Sequence, residues 1–209
     1  SAAAAVRKRG AELFAGGMGV EALCQWMSGL NDLIGMQVIE QIADQFDLPP
    51  IPWCWMVFGS EGRLEQTFST DQDNGLIFQE DNREEIENRR QAFLPFALAV
   101  NHALDRCGFD FCKGNIMASN PAWCLSVDEW QDRFSNWLMT PDPEAILHAT
   151  IFFDFRPLYG QHDLVDELLG WLLPRPSQHP RFLHCLGEQA LGCPPSLGFL
   201  GRFIYDGGK

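Results

Sequence analysis

The sequence predicts an α+β protein in which helices come first, a small mixed sheet with a crossing helix follows, and further helices complete the chain. Three observations lead to this prediction. Residues 20–46 place apolar side chains at helical spacing, residues 51–58 (IPWCWMVF) form a short continuous apolar run, and a second apolar run, GLIF, ends at Phe78. Long helical stretches on either side of short strands are typical of the α+β class.

The first 50 residues are predicted to be helical. A first helix ends at Glu12–Phe14, because glycines occupy positions 16, 17 and 19. From Leu23 to Phe46 the apolar residues recur three, four or eight apart, which predicts one face of a long amphipathic helix. Three prolines between residues 49 and 52 stop this helix and mark the end of an N-terminal region, 1–50.

Residues 51–122 are predicted to form the sheet-containing core. The run IPWCWMVF is typical of a strand buried on both faces. A short helix is predicted over Gly62–Thr67, and a second strand begins at Asp71 and continues through GLIF. Residues 82–107 predict a helix that Pro95 kinks or splits. Residues 108–118, GFDFCKGNIMA, are expected to form a third strand with a turn at Lys113-Gly114.

Residues 123–209 are predicted to form a helical domain. The string from Ser126 to Glu129 is a capping box, and Asp142-Pro143 is a helix start with proline at the first helical position. A further helix is expected over residues 163–173, and another after the breaker PRPSQHP.

The composition excludes several classes of function. A net charge of −13 in 209 residues leaves no basic surface for a nucleic acid, and no apolar stretch of membrane-spanning length occurs. The 7 cysteines contain no C-x-x-C pair and lie mostly in apolar runs, which predicts free thiols in a reducing, cytoplasmic compartment. An acidic protein can still bind a phosphorylated small molecule when a divalent cation bridges the like charges.

The connection between the first two strands, VFGSEGRLEQTFSTDQDNGLIF, contains unusual polar chemistry. Side chains alternate along a strand, so Asp71 and Asp73 are expected to point the same way. Two adjacent carboxylates repel, and a hard divalent cation such as Mg²⁺, with Mn²⁺ as the alternative, removes that penalty. Gly59 and Ser60 follow the first strand, where a glycine lets backbone amides approach a phosphate. Together these features indicate a phosphoryl-transfer site.

The D-x-D pattern also occurs in EF-hand loops and aspartyl phosphatases, and this chain departs from both. Counted from Asp71, an EF-hand loop requires glycine sixth and glutamate twelfth, where this chain has Leu76 and Asn82. Aspartyl phosphatases place D-x-D after an apolar strand, whereas here the apolar run follows the pair, and the P-loop pattern is absent. The spacing is also compatible with a non-functional role, in which the two aspartates cap the turns of a hairpin-like connection.

The spacing of G-S and D-x-D resembles the polymerase-beta-like nucleotidyltransferase superfamily, which includes kanamycin nucleotidyltransferase and the PII-protein uridylyltransferases. The fuller string GSEGRLEQTFSTDQDNGLIF, together with CKGNIMASNPAW, SVDEWQDRFSNWL and IFFDFRPLYG, is similar to the DUF294-type nucleotidyltransferases of bacterial signalling proteins. Members of that family lie behind cyclic-nucleotide-binding or CBS domains. The resemblance implies a catalytic core near 51–122 and a substrate-binding helical remainder.

The resemblance also implies roles for individual residues. Gly59 and Ser60 match the phosphate-binding pair, and Asp71 and Asp73 match the metal ligands. Active relatives supply a third carboxylate from a later strand, and Asp110 is the acid on the predicted third strand. Without it the site would have two carboxylates.

Six further residues of the matching strings have alternative roles. Arg63 either contacts the triphosphate or forms a salt bridge with Glu65 or Asp71, and Lys113 either neutralises pyrophosphate or is a solvated turn lysine. Gln66 and Asn74 either orient the metal ligands or satisfy the backbone. For Asp154 and Arg156, placed at a helix end, the alternatives are substrate binding and an ion pair.

The resulting prediction is a Mg²⁺-dependent nucleotidyltransferase that moves a UMP or AMP group from a nucleoside triphosphate to an acceptor hydroxyl. The acceptor is expected on a signalling protein, as in the related uridylyltransferases, and neither nucleic acid nor membrane is expected as a partner. The alternatives are a nucleotide-sensing module that binds the triphosphate without turnover, and a helical interaction module with a relict core.

Overall fold

A four-stranded mixed sheet lies at the centre of the structure, a computed structural model that describes residues 1–192. The strands are β1 (Trp53–Phe58), β2 (Asn74–Phe78), β3 (Cys124–Ser126) and β4 (Phe155–Gly160). Their order across the sheet is β3-β2-β1-β4, with β1 antiparallel to both β2 and β4 and β2 parallel to β3.

Eight helices surround this sheet within the described residues. They are α1 (Ala2–Ala15), α2 (Val20–Ala43), α3 (Gly59–Gly62), α4 (Ile86–Cys107), α5 (Val127–Met139), α6 (Pro143–Phe152), α7 (Asp163–Leu172) and α8 (Pro180–Leu191). None of the helices in this part of the chain combines the length and the apolarity needed to cross a membrane.

The two faces of the sheet bury separate apolar cores. Along β1, Met56 and Phe58 pack with α5 to α8, whereas Trp55 and Val57 pack with α2 and α4 on the other face. Every second side chain of a strand points to the same face, so one fully buried strand supplies both cores. The sheet is therefore the middle of three layers, as an α+β protein with helices on both sides of the strands requires.

Most of the predicted elements are present. The long helix α2, the buried strand β1, the capping box at Ser126 and the helix start at Asp142 are confirmed. Helix α4 runs through Pro95 as one continuous helix and is not split. Cys54 and Cys124 are buried free thiols, and Cys193 lies outside the described residues.

The predictions for three local elements were wrong. The short helix lies at Gly59–Gly62 rather than Gly62–Thr67, and the second strand begins at Asn74 rather than Asp71. Residues 108–118 do not form a strand, because only Asp110 makes a single bridge and the chain then turns at Lys113-Gly114. The third strand is the three-residue β3.

A fourth strand was not predicted. Arg156 lies on β4 and not at a helix end. Both β3 and β4 follow residue 122, so the sheet includes strands from either side of the proposed boundary between 51–122 and 123–209. That boundary itself stays a prediction.

Candidate functional site

The Gly-Ser pair lies directly beside one of the two aspartates. Strand β1 leads into α3 through Gly59, whose φ of +55° is in the left-handed region that favours glycine. A Cβ atom at Gly59 would lie 3.7 Å from Oδ2 of Asp73. The backbone joins the same two segments, because the amide of Phe58 donates to the carbonyl oxygen of Asp73 at 3.0 Å. Ser60 follows at the partly exposed start of the turn.

The carboxylates of Asp71 and Asp73 lie on the same side of the chain. Gln72 and Asn74 are buried, while Asp71 is exposed and Asp73 is partly exposed, which is the alternation of an extended segment. Burial raises the pKa of Asp73, and the negative charge of Asp71 raises it further. A hydrogen bond with the Cys112 thiol opposes that rise in pKa. The charge of Asp71 therefore acts on the Asp73 carboxylate.

Asp110 lies next to this pair through its backbone. Asp71 and Asp110 form an isolated parallel bridge, in which the Gln72 amide donates to the Asp110 carbonyl oxygen at 3.0 Å. The side chain of Asp110 is exposed. Among residues 1–192, no group of three or more His, Cys, Asp or Glu side chains is arranged to hold a metal ion. The catalytic role of Asp110 therefore stays a prediction, and the Asp71–Asp73 pair is the donor set that the geometry offers.

Arg63 forms two ion pairs. Its Nε lies 2.8 Å from Glu65, and its Nη1 lies 2.7 Å from Asp154. Of the two salt bridges that the sequence allows, the one with Glu65 is present, and Asp154 takes the second position instead of Asp71. Lys113 is exposed at the predicted turn, one residue after Cys112.

A second charged cluster, which the sequence did not reveal, lies behind the Gly-Ser turn. Arg156 pairs with Asp32 of α2 at 2.7 Å and donates to the carbonyl oxygen of Glu61 at 3.0 and 3.2 Å. The carboxyl group of Glu61 has its pKa raised to about 8, first by burial and then by the charge of Asp32, while Arg156 lowers it. Arg156 therefore anchors the turn to α2 through a sequence separation of 124 residues, which no local pattern reveals.

The cavity next to this cluster is too small for a substrate. It has a volume of about 20 Å³ and lies between the sheet and α2, with Glu61, Asp71 and Gln72 among its lining residues. That volume holds about one water molecule. This cavity therefore cannot hold a nucleotide, and neither Gly59 nor Asp73 is among the residues that line it.

Neither Gln66 nor Asn74 bonds to the aspartate carboxylates. The side-chain oxygen of Gln66 accepts a hydrogen bond from Asn31 at 3.0 Å, and the backbone amide of Gln66 donates to the hydroxyl of Ser28. These two bonds tie the segment between β1 and β2 to α2. Asn74 accepts from the amide of Ala118 at 2.9 Å. The only sequence feature that points to these buried amides is the alternation of acid and amide side chains over residues 71–74.

The comparisons with known proteins identify the family of the chain. No curated protein matches the chain. One family model matches residues 4–144, more than half of the chain, and the match includes the Gly-Ser turn, the two aspartates and Asp110. The chain belongs to the nucleotidyltransferase family described as "Putative nucleotidyltransferase DUF294".

Proposed function

We propose that this protein transfers a nucleotidyl group, UMP or AMP, from a Mg²⁺-bound nucleoside triphosphate to an acceptor hydroxyl. The observation on which the proposal rests is the coupled pair of carboxylates, Asp71 and Asp73, against the backbone of Gly59. Membership of a nucleotidyltransferase family supports the reaction class.

The donor set fits Mg²⁺, with Mn²⁺ as the alternative. Both ligands are carboxylates, and hard oxygen donors are what Mg²⁺ prefers. Burial raises the pKa of Asp73 and the charge of Asp71 raises it further, and the repulsion between the two carboxylates is a cost that a divalent cation removes. When bound, the cation would supply the positive charge that lets an acidic protein approach a triphosphate.

The residues of the chain would divide the remaining work. Ser60 and the backbone at Gly59 would bind the β- and γ-phosphates, and Lys113 would neutralise the leaving group. The acceptor oxygen bonds to the α-phosphorus while the bond to the bridging oxygen of pyrophosphate breaks. Asp110, beside Asp71, is the proposed base for the proton of the acceptor hydroxyl.

The acceptor is proposed to be a hydroxyl on a signalling protein. This follows from the resemblance to the PII uridylyltransferases, as does the proposal that cyclic-nucleotide-binding or CBS domains accompany this domain in a longer chain.

The test measures binding and turnover separately. Of the four nucleoside triphosphates tested with Mg²⁺, UTP or ATP should raise the melting temperature, and pyrophosphate release should disappear in Asp73→Asn. Asp132→Asn, an exposed aspartate on α5, is the matched control and should leave both unchanged. If no triphosphate stabilises the protein, or if Asp73→Asn releases pyrophosphate at the wild-type rate, the proposal fails.

A nucleotide-sensing module is the second candidate. It is favoured by the two ion pairs of Arg63, which engage the guanidinium group with protein carboxylates instead of leaving it for a triphosphate. Stabilisation by a triphosphate without pyrophosphate release, in the presence of candidate acceptor proteins, would support this function over transfer.

A further inference from the structure

A network of buried amide side chains lies behind the two aspartates. Gln72 and Asn74 of the D-x-D segment are each 2% exposed, and Asn101 of α4 is 0% exposed. Polar side chains with so little solvent must find their hydrogen bonds within the protein. Among the described residues no buried side-chain nitrogen or oxygen atom is left without a partner, so every fully buried polar atom of this network is hydrogen-bonded.

Asn101 is the centre of the network. Its Nδ2 donates to Oε1 of Gln72 at 2.8 Å and to Oδ1 of Asn74 at 3.0 Å. In return, Nε2 of Gln72 donates to the carbonyl oxygen of Asn101 at 3.1 Å and to that of Phe109 at 2.8 Å. The Oδ1 atom of Asn101 accepts from the amide of Ser119 at 3.2 Å. Asn101 therefore bonds to both amide side chains that flank Asp73.

The backbone of the same segment is bonded at successive residues. The amide of Gln72 donates to Asp110 at 3.0 Å, the carbonyl oxygen of Asp73 accepts from Phe58, and the amide of Asn74 donates to Ile116 at 3.1 Å. Because inward and outward side chains alternate, holding residues 72 and 74 in place fixes the directions of the aspartates at 71 and 73.

We propose that Gln72 and Asn101 are positioning residues that hold the Asp71 and Asp73 carboxylates at the separation one divalent cation requires. The two carboxylates repel each other, so a free loop would let them move apart. The amide network opposes that movement from the far side of the chain, with no contact to the cation. This inference rests on the proposed cation site, but the rigidity of the segment can be measured without a cation.

The experiment compares Mn²⁺ binding by electron paramagnetic resonance in the wild type and in two variants of similar side-chain volume, Asn101→Leu and Gln72→Met. Removing such supporting partners costs about 10–100-fold in metal affinity, and we expect this loss in both variants. Leu172→Ala on α7 removes a buried side chain far from the network and is the control for general destabilisation. It should change the Kd for Mn²⁺ less than about 3-fold at temperatures where every variant is folded.

The second measurement is amide hydrogen exchange, without metal, at Gln72 and Asn74, whose amides donate to Asp110 and Ile116. We expect Asn101→Leu to lose protection selectively at these amides, whereas the control loses it evenly across the sheet. If the wild type binds Mn²⁺ no better than Asp73→Asn, the cation proposal fails, and the exchange result alone decides whether the network positions the aspartates.

Two results would overturn the inference. One is wild-type Mn²⁺ affinity in folded Asn101→Leu and Gln72→Met. The other is unchanged protection of the Gln72 and Asn74 amides in both variants. Should Asn101→Leu fail to fold, Gln72→Met is sufficient for both measurements, because it leaves the bond between Asn101 and Asn74 in place.

Discussion

The carboxyl group of Glu61 makes the stability of this protein depend on pH in a way that one substitution should reveal. Its pKa is raised from 4.5 to about 8, mainly because the side chain is removed from water. The neighbouring charges of Asp32 and Asp73 also raise the pKa, and Arg156 lowers it. Glu61→Gln keeps the size and polarity of the side chain but removes the titration.

The sign follows from where the proton is bound. Between pH 4.5 and about 8 the folded protein holds a proton on Glu61 that the unfolded chain has lost. Folding is therefore favoured at the acid end of this window, and the free energy of unfolding falls as the pH rises towards about 8. Above that pH both states are ionised, and the cost of the buried charge is at its full value.

The magnitude follows from the width of the window. A full shift from 4.5 to about 8 corresponds to about 5 kcal/mol at about 1.4 kcal/mol per pH unit. Because the residue as a whole remains partly exposed, solvent screens part of this effect, and we expect about 2 kcal/mol to be expressed. In a chain of this length that equals roughly 4–8 °C in melting temperature.

The assay is a series of thermal melts from pH 5 to pH 9 without divalent cations. We expect wild type and Glu61→Gln to melt together near pH 5, and the variant to melt higher by the stated amount near pH 9. Glu65→Gln, an exposed glutamate on the same loop, is the control and should run parallel to the wild type. Parallel curves for wild type and Glu61→Gln over the whole range would refute the reasoning.

Three further predictions concern stability. In Gly62→Ala the new Cβ would lie on a backbone carbonyl, 2.9 Å from its carbon, so we expect a loss of about 3 kcal/mol in urea unfolding, whereas Gly170→Ala, with open space around it, should cost nothing. Ser126→Ala removes one half of a capping box and should cost about 1 kcal/mol, and an unchanged urea midpoint would contradict the contribution of the cap. Arg156→Met leaves Asp32 unpaired and should cost about 3 kcal/mol, of which the double variant with Asp32→Asn should recover a measurable part; no recovery would mean that the pair is not what stabilises this contact.

The sequence determined the elements whose causes are local. A capping box, an Asx-Pro start and helical spacing each depend on residues within one or two turns, and the helices at 127–139, 143–152 and 20–43 follow from them. The same holds for the side on which Asp71 and Asp73 lie, because strand alternation is a property of the backbone.

Strand pairing, in contrast, was decided by tertiary contacts. Residues 108–118 are as apolar as a strand, but it is β3 that pairs with the edge of β2. β3 has only three residues, which is too short for the sequence alone to predict it as a strand. β4 contains Pro157, which removes a backbone donor and lowers its strand signal, yet it is tolerated because β4 lies at the edge of the sheet.

The candidate site divides in the same way. The residue types and spacing of Gly59, Ser60, Asp71 and Asp73 were sufficient to predict a cation and phosphate site. The sequence did not predict which partners hold these residues in place. Arg156 binds Asp32 at a sequence separation of 124 residues, and Asn101 binds Gln72 at a separation of 29 residues. Electrostatic and hydrogen-bond energies depend on distance in space, and only the folded chain sets that distance.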